Sequence, residues 1–157
     1  GLVLLPASAM VALLSPTIGL LIDKIGIKKI LTFGFALFSI SAYMQTTFSS
    51  DTSLTFIVSA SVIFGVAWAC VLSPSITAAL SSMPASISGV AMGSLDTLHN
   101  FGGSVGLAIA AALYQKINLT NTSDALIKSY NSNMLLLEFI SLAVLLIVFF
   151  NLKKRGE

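Results

Sequence analysis

The stretch from residue 54 to residue 80, LTFIVSASVIFGVAWACVLSPSITAAL, contains no Asp, Glu, Lys, Arg or His. An apolar run of that length settles the environment first, because a hydrocarbon core about 30 Å thick takes about 20 residues of helix. Inside it every peptide N–H and C=O must find a partner within its own segment, which leaves the α-helix as the form such a run takes. Four other segments have the same character, residues 1–22, 30–48, 88–113 and 133–152. The expectation is an all-α membrane protein with about five transmembrane helices, joined by polar stretches at 23–29, 49–53, 81–87 and 114–132. Composition agrees: 56% of the chain is hydrophobic and 9% charged, against about 45 to 50% apolar in soluble domains. Ser73-Pro74 is expected to bend or end the regular part of the third helix, since proline lacks the N–H and crowds the preceding turn.

With so few charges, their placement says more than their sum. A net charge of +2 offers no basic surface for nucleic acid. Lys and Arg collect on the cytoplasmic side of membrane proteins. With the 23–29 loop inside, Lys24, Lys28, Lys29, Lys153, Lys154 and Arg155 are all cytoplasmic, against Lys116 and Lys128 outside, and the C-terminus is cytoplasmic too. Asn118-Leu-Thr120 and Asn121-Thr-Ser123 then fall in the outer loop, where they fit the glycan-acceptor triplet, a pattern that composition alone also produces. Cys70, the single cysteine, sits in an apolar run and reads as a small buried hydrophobe. The start at Gly1 has neither a charged n-region nor a cleavage site, and it reads as the continuation of a longer membrane protein rather than as a signal peptide. No phosphate-binding loop, zinc-ligand spacing or nucleophile–His–acid set is present, so neither an enzyme nor a cofactor is expected.

The densest charge cluster, GLLIDKIGIKK at residues 19–29, lies between two apolar runs. Gly19 permits close approach of a neighbouring helix, and Gly26 gives the backbone the freedom a tight turn requires. Lys24, Lys28 and Lys29 hold the loop at the cytoplasmic surface. Asp23 is the anomaly, because an anion at a helix C-terminus faces the negative end of the macrodipole. It is expected to find a partner elsewhere, at the N-terminus of the fourth helix around Ser86 to Ser88.

The pattern G-x-L-x-D-K-x-G-x-K-K resembles the signature between the second and third helices of each half of the major facilitator superfamily, with Ile27 where a basic or polar residue is more usual. LLPASAMVALLSPTIG, FGVAWACVLSP and GVAMGSLDTLHNFGGSVGLAIA resemble the EmrB/QacA type within it, the fourteen-helix drug:proton antiporters. The resemblance implies that the five helices form most of the C-terminal half of a major facilitator fold. Its partners are then the lipid bilayer, the N-terminal half of the same transporter, protons and a small lipophilic substrate. The implied activity is proton-driven multidrug efflux by alternating access in a bacterial cytoplasmic (inner) membrane, with Asp23 latching onto the fourth helix in one conformation. A purely turn-forming loop is the alternative for Asp23. For the whole chain the alternatives are a facilitator carrying a metabolite, and a truncated or accessory five-helix protein without transport of its own.

Asp96, His99 and Glu138 are the ionisable groups set well inside the apolar segments, and such a position is costly unless the group faces water or a partner. Asp96, His99 and Asn100 are spaced i, i+3, i+4 and share one helix face. Asp96 lies about 12 Å from the start of its helix. A carboxylate and an imidazole at that depth can exchange protons as a cavity changes between wet and dry; a polar pair that fixes packing is the other reading. The family more often has Asn where Asp96 stands and Arg where His99 stands, so this chain either moves coupling into the fourth helix or preserves a polar pair. Glu138, about one and a half turns into the fifth helix, is a further coupling candidate able to reach the interface. Gly89, Gly93, Gly102, Gly103 and Gly106 give the fourth helix small-residue spacings suited to close packing. Trp68, Tyr43, Met44 and Gln45 are substrate-cavity candidates, because aromatic and flexible side chains suit bulky lipophilic cations; packing or lipid-facing positions are the alternative.

Overall fold

The structure, a computed structural model, describes residues 5–117 and 123–153. Both Asn-x-Ser/Thr triplets and the side chains of Lys153, Lys154 and Arg155 lie outside what is described. Among the described residues five α-helices follow one another: α1 (Leu5–Ile25), α2 (Ile27–Thr46), α3 (Leu54–Ser81), α4 (Ser88–Ile117) and α5 (Ser123–Lys153), with a 3-10 turn, Ala85–Ile87, leading into α4. The chain is thus an all-α membrane protein consistent with part of a larger helical fold. α1, α2, α3 and the Asp124–Phe150 part of α5 are long and apolar enough to cross a membrane. α4 is as long, at 30 residues, but Asp96, His99, Asn100 and its glycines and serines dilute its apolar character. Of the five expected helices α4 is thus the partly polar one, and such a helix is stable at membrane depth where it faces a cavity.

Local chemistry explains the joints. Only Gly26 separates α1 from α2, and its φ of 91° lies where a side chain would be strained; its N–H donates to the Ile22 carbonyl at 2.9 Å. Ser53 caps α3 by accepting from the Phe56 N–H at 3.4 Å. The expected break at Pro74 does not end α3, which continues to Ser81 with Pro74 fully buried. Hydroxyls keep that turn tied to the backbone, Ser75 Oγ donating to the Val71 carbonyl at 2.7 Å and Thr77 Oγ1 to that of Ser73 at 3.0 Å.

α5 begins at Ser123, well before the apolar run at residue 133. Its first turns are held by tertiary contacts rather than by hydrophobicity: Ala125 and Ser129 are buried, and Asn131 Nδ2 donates to the Phe48 carbonyl at the end of α2, at 2.9 Å.

α1 packs on α3, α3 on α2 and α2 on α5, while α4 makes smaller contacts with α3 and α5. Close approach is concentrated at two glycines. A Cβ on Gly34 would lie 2.9 Å from Val71 Cγ2 and 3.1 Å from the Cys70 backbone, and one on Gly65 would lie 2.8 Å from the Ala7 Cα. Ile18, Ile22, Ile30, Ala69 and Cys70 form the buried cluster beside the α1–α2 turn. A polar seam runs between α2 and its neighbours. Ser39 and Ser141 hydroxyls bond at 2.9 Å, Ser41 Oγ donates to the Ala60 carbonyl at 3.0 Å, and Gln45 Nε2 donates to Ser41 Oγ at 3.0 Å. The Tyr130 hydroxyl donates to Gln45 Oε1. Lipid supplies no hydrophobic force between helices, so small-residue packing and such polar bonds are what join them.

Candidate functional site

α3 and α4 enclose a cleft of about 540 Å³ bordered by Trp68, Val71, Leu72, Ser75, Ile76, Leu95, Asp96, Leu98 and His99. It is apolar but for Ser75 on the α3 side and carries a carboxylate and an imidazole on the α4 side. The helical spacing of three residues places Asp96 and His99 on one face, and both side chains are exposed. The His99 ring meets Trp68 edge-on, with centroids 5.9 Å apart. Trp68 is in turn packed against Phe38 of α2, at 5.8 Å and 80°, and stacked on Phe64, at 6.2 Å and 21°. Phe38 from α2 and Phe64 from the preceding turn of α3 therefore hold the indole that faces the imidazole. No hydrogen bond or ion pair engages the Asp96 carboxylate or the His99 ring among the described residues.

Not every candidate joins this cleft. Asn100 shares the α4 face but turns its amide onto its own helix, Nδ2 donating to the Asp96 carbonyl at 2.8 Å. Gln45 is tied to Ser41 and Tyr130, and Tyr43 is 61% exposed away from the cleft lining. Met44 does not border the cleft either. Glu138 is half-buried and lies about 22 Å along α5 from Ser123. The early start of α5 thus places it near the middle of that helix. Gly89, Gly93, Gly102, Gly103 and Gly106 have nothing within 4 Å of where a Cβ would be. Among the described residues they face open space.

In the α1–α2 loop Gly26 makes the turn, Gly19 faces open space, and Lys24, Lys28 and Lys29 are exposed. Asp23 is exposed as well, and no hydrogen bond or ion pair engages it among the described residues. The start of α4 is occupied locally, with Ser88 Oγ donating to the Ala85 carbonyl at 3.0 Å.

Sequence reasoning overlooked Phe38 and Phe64 behind Trp68, and also Tyr130, Asn131, Ser39 and Ser141 in the seam. Small hydroxyl residues recurring inside otherwise apolar helices are the signal that finds the seam.

Helices long and apolar enough to cross a membrane, packed through small residues and leaving ionisable groups on a cleft beside a partly polar helix, describe part of a helical membrane protein. The family comparison gives the particular group: the Major Facilitator Superfamily model matches residues 1–157, and the chain belongs to that superfamily. It is 27% identical to the MFS-type transporter YcnB of Bacillus subtilis over 98% of this chain and 33% of the relative. It is 28% identical to the riboflavin transporter RibZ of Clostridioides difficile over 96% of this chain and 34% of the relative. With the multidrug resistance protein Stp of Mycobacterium tuberculosis it shares 29% identity over 72% of this chain and 21% of the relative. The chain thus spans about a fifth to a third of the length of the curated relatives it matches. No solved structure gives a significant match.

Proposed function

We propose that the chain is the cavity-forming C-terminal part of a proton-coupled exporter of small lipophilic compounds, of the fourteen-helix drug:proton antiporter type, in a bacterial cytoplasmic membrane. One observation carries the reading: the α3–α4 cleft sets Asp96 and His99 against a fixed indole. Titratable groups at membrane depth change charge when their surroundings change between wet and dry. In the outward-facing state Asp96 takes a proton from outside, which weakens its hold on a positively charged substrate. In the inward-facing state the proton leaves to the cytoplasm, and the restored carboxylate attracts the next substrate. Proton and substrate thereby exclude each other at one atom group, and alternating access turns that exclusion into exchange. His99, three residues along, adds a second protonatable group at the same wall. Glu138 at the middle of α5 is assigned a supporting role in coupling. Asp23, free in this conformation, is assigned to a latch that forms against the start of α4 in the opposite one.

The likeness to a riboflavin transporter favours a second reading, a carrier of an aromatic metabolite through the same cleft. The two are separated in the complete gene product, reconstituted in vesicles with an imposed proton gradient. Asp96→Asn is expected to lower proton-driven ethidium export about tenfold or more, as loss of a coupling carboxylate requires, while membrane abundance is unchanged. Export that is intact in the variant across pH 6 to 8 removes Asp96 from coupling; riboflavin movement without ethidium export selects the metabolite carrier.

A further inference from the structure

We infer that the polar pocket between the end of α2 and the start of α5 seats the headgroup of a zwitterionic phospholipid with a primary ammonium, whose acyl chain lies along α5. The pocket, about 390 Å³, is bordered by Thr46 and Ser49 on one side and by Asp124, Lys128, Asn131 and Ser132 on the other. It shares no residue with the α3–α4 cleft and does not depend on what that cleft carries. Its depth is that of a membrane surface, because Thr46 ends a 20-residue helix, about 30 Å long, as thick as the hydrocarbon core. With the lysine-rich α1–α2 turn cytoplasmic, the leaflet is the outer one.

Charge and hydrogen bonding choose the headgroup. Asp124 and Lys128 are exposed and stand one helical turn apart, about 6 Å along the axis, yet no ion pair or hydrogen bond engages either charged group among the described residues. Together they leave the pocket neutral with one group of each sign, the complement of a phosphate and an ammonium joined by two carbons. The other polar groups have already spent donors. Thr46 Oγ1 donates to the Tyr43 carbonyl at 2.7 Å, Ser132 Oγ to that of Lys128 at 2.9 Å and Asn131 Nδ2 to that of Phe48 at 2.9 Å. Asn131 Oδ1 is left without a partner. Acceptors in excess favour a group with several N–H donors, a primary ammonium, over a quaternary one, which has none. Beyond the pocket α5 turns apolar on the same face. Leu135, which borders the pocket, lies two turns past Lys128, and Phe139, Leu142 and Leu146 follow it at i+4, i+7 and i+11, all exposed. From Leu135 to Leu146 is about 16 Å, half of a hydrocarbon core about 30 Å thick. A polar pocket alone would take a soluble zwitterion; the apolar track one leaflet long assigns a lipid.

The test is native mass spectrometry of the complete gene product, released from detergent micelles doped with equal amounts of phosphatidylethanolamine and phosphatidylcholine of identical chains. Wild-type protein is expected to retain the ethanolamine lipid about threefold over the choline lipid, the size of one solvent-exposed ion pair. Asp124→Asn is expected to abolish that preference, and Lys128→Gln to lower retention of both lipids by about the same factor, since both carry the phosphate. Asp124 and Lys128 are exposed, so both variants are expected to fold. O-phosphoethanolamine, the headgroup without chains, serves as competitor and is expected to displace neither lipid at equal concentration. Equal retention of the two lipids by wild-type protein, a preference that survives Asp124→Asn, or unchanged retention in Lys128→Gln overturns the proposal. Displacement by O-phosphoethanolamine overturns it as well, because the pocket would then hold a soluble zwitterion without the track along α5.

Discussion

Gln45 shows how much a single residue type leaves open. An amide in an apolar helix reads equally as a cavity group or as a tie between helices, and sequence alone does not say which neighbour it meets. In the fold both ends of that amide are engaged, Nε2 with Ser41 and Oε1 with Tyr130, so α2 is tied to α5 through Gln45 and to α3 through Ser41. Phe48 and Tyr130 stack beside it, with centroids 5.9 Å apart. Interhelical hydrogen bonds in membrane proteins contribute about 0.6 kcal/mol on average and up to about 1.7. Tyr130→Phe is therefore expected to lower the unfolding free energy of the complete protein by about 0.6 kcal/mol, read by reversible detergent unfolding, with substrate affinity unchanged. A shifted affinity with undiminished stability would put Gln45 back among the substrate contacts. Asp96 and His99, by contrast, were legible as a pair, because their cost inside hydrocarbon and their shared face both follow from sequence.

At the scale of elements, the long apolar runs and the glycine turn at Gly26 were legible, whereas the glycines that bring helices together were not. The spacing of small residues drew attention to α4, yet the contacts that exclude a side chain occur at Gly34 and Gly65. Repetition marks a helix surface that allows close packing; which surface meets a neighbour depends on the partner, and the partner is not local. The same reason explains α5, whose first turns lack an apolar signature and are held by Ser129, Tyr130 and Asn131 meeting other elements. Alanine in place of a helical glycine gains about 1 kcal/mol from propensity, while overpacking costs about 1 to 3 kcal/mol. The sign is set by the neighbour. Gly65→Ala meets backbone atoms of Ala7 that cannot turn away, so it is expected to destabilise. Gly19→Ala meets nothing within 4 Å and is expected to be neutral or stabilising. Folded yield and melting temperature of the two variants, prepared side by side, check the contrast; equal behaviour would mean that α1 and α3 are not in backbone contact.

For the molecule as a whole, the remaining question is which way it sits in the membrane, and the fold makes the sequence argument quantitative. α2 begins at Ile27, beside the exposed Lys28 and Lys29, and its far end touches Asn131 through the Phe48 carbonyl. Lys128 is less than one helical turn from Asn131 and is exposed. Lys28 and Lys128 therefore stand at opposite ends of a 20-residue helix, about 30 Å long at about 1.5 Å per residue, which matches a hydrocarbon core. At the first end Lys24, Lys28 and Lys29 outnumber Asp23; at the other, Lys128 has Asp124 one turn before it. If Lys and Arg are retained in the cytoplasm, the α1–α2 turn is expected inside and the start of α5 outside. In a complete gene product with its other cysteines replaced, a membrane-impermeant maleimide is expected to label Lys128→Cys in intact cells, and Lys28→Cys only after permeabilisation. Cys70 can be retained as an internal control, since it is buried between helices and should stay unlabelled until the protein is unfolded. The opposite labelling pattern would invert the molecule, put Asp23 and the start of α4 on the outer face, and remove the cytoplasmic latch together with the direction of proton flow assigned to Asp96.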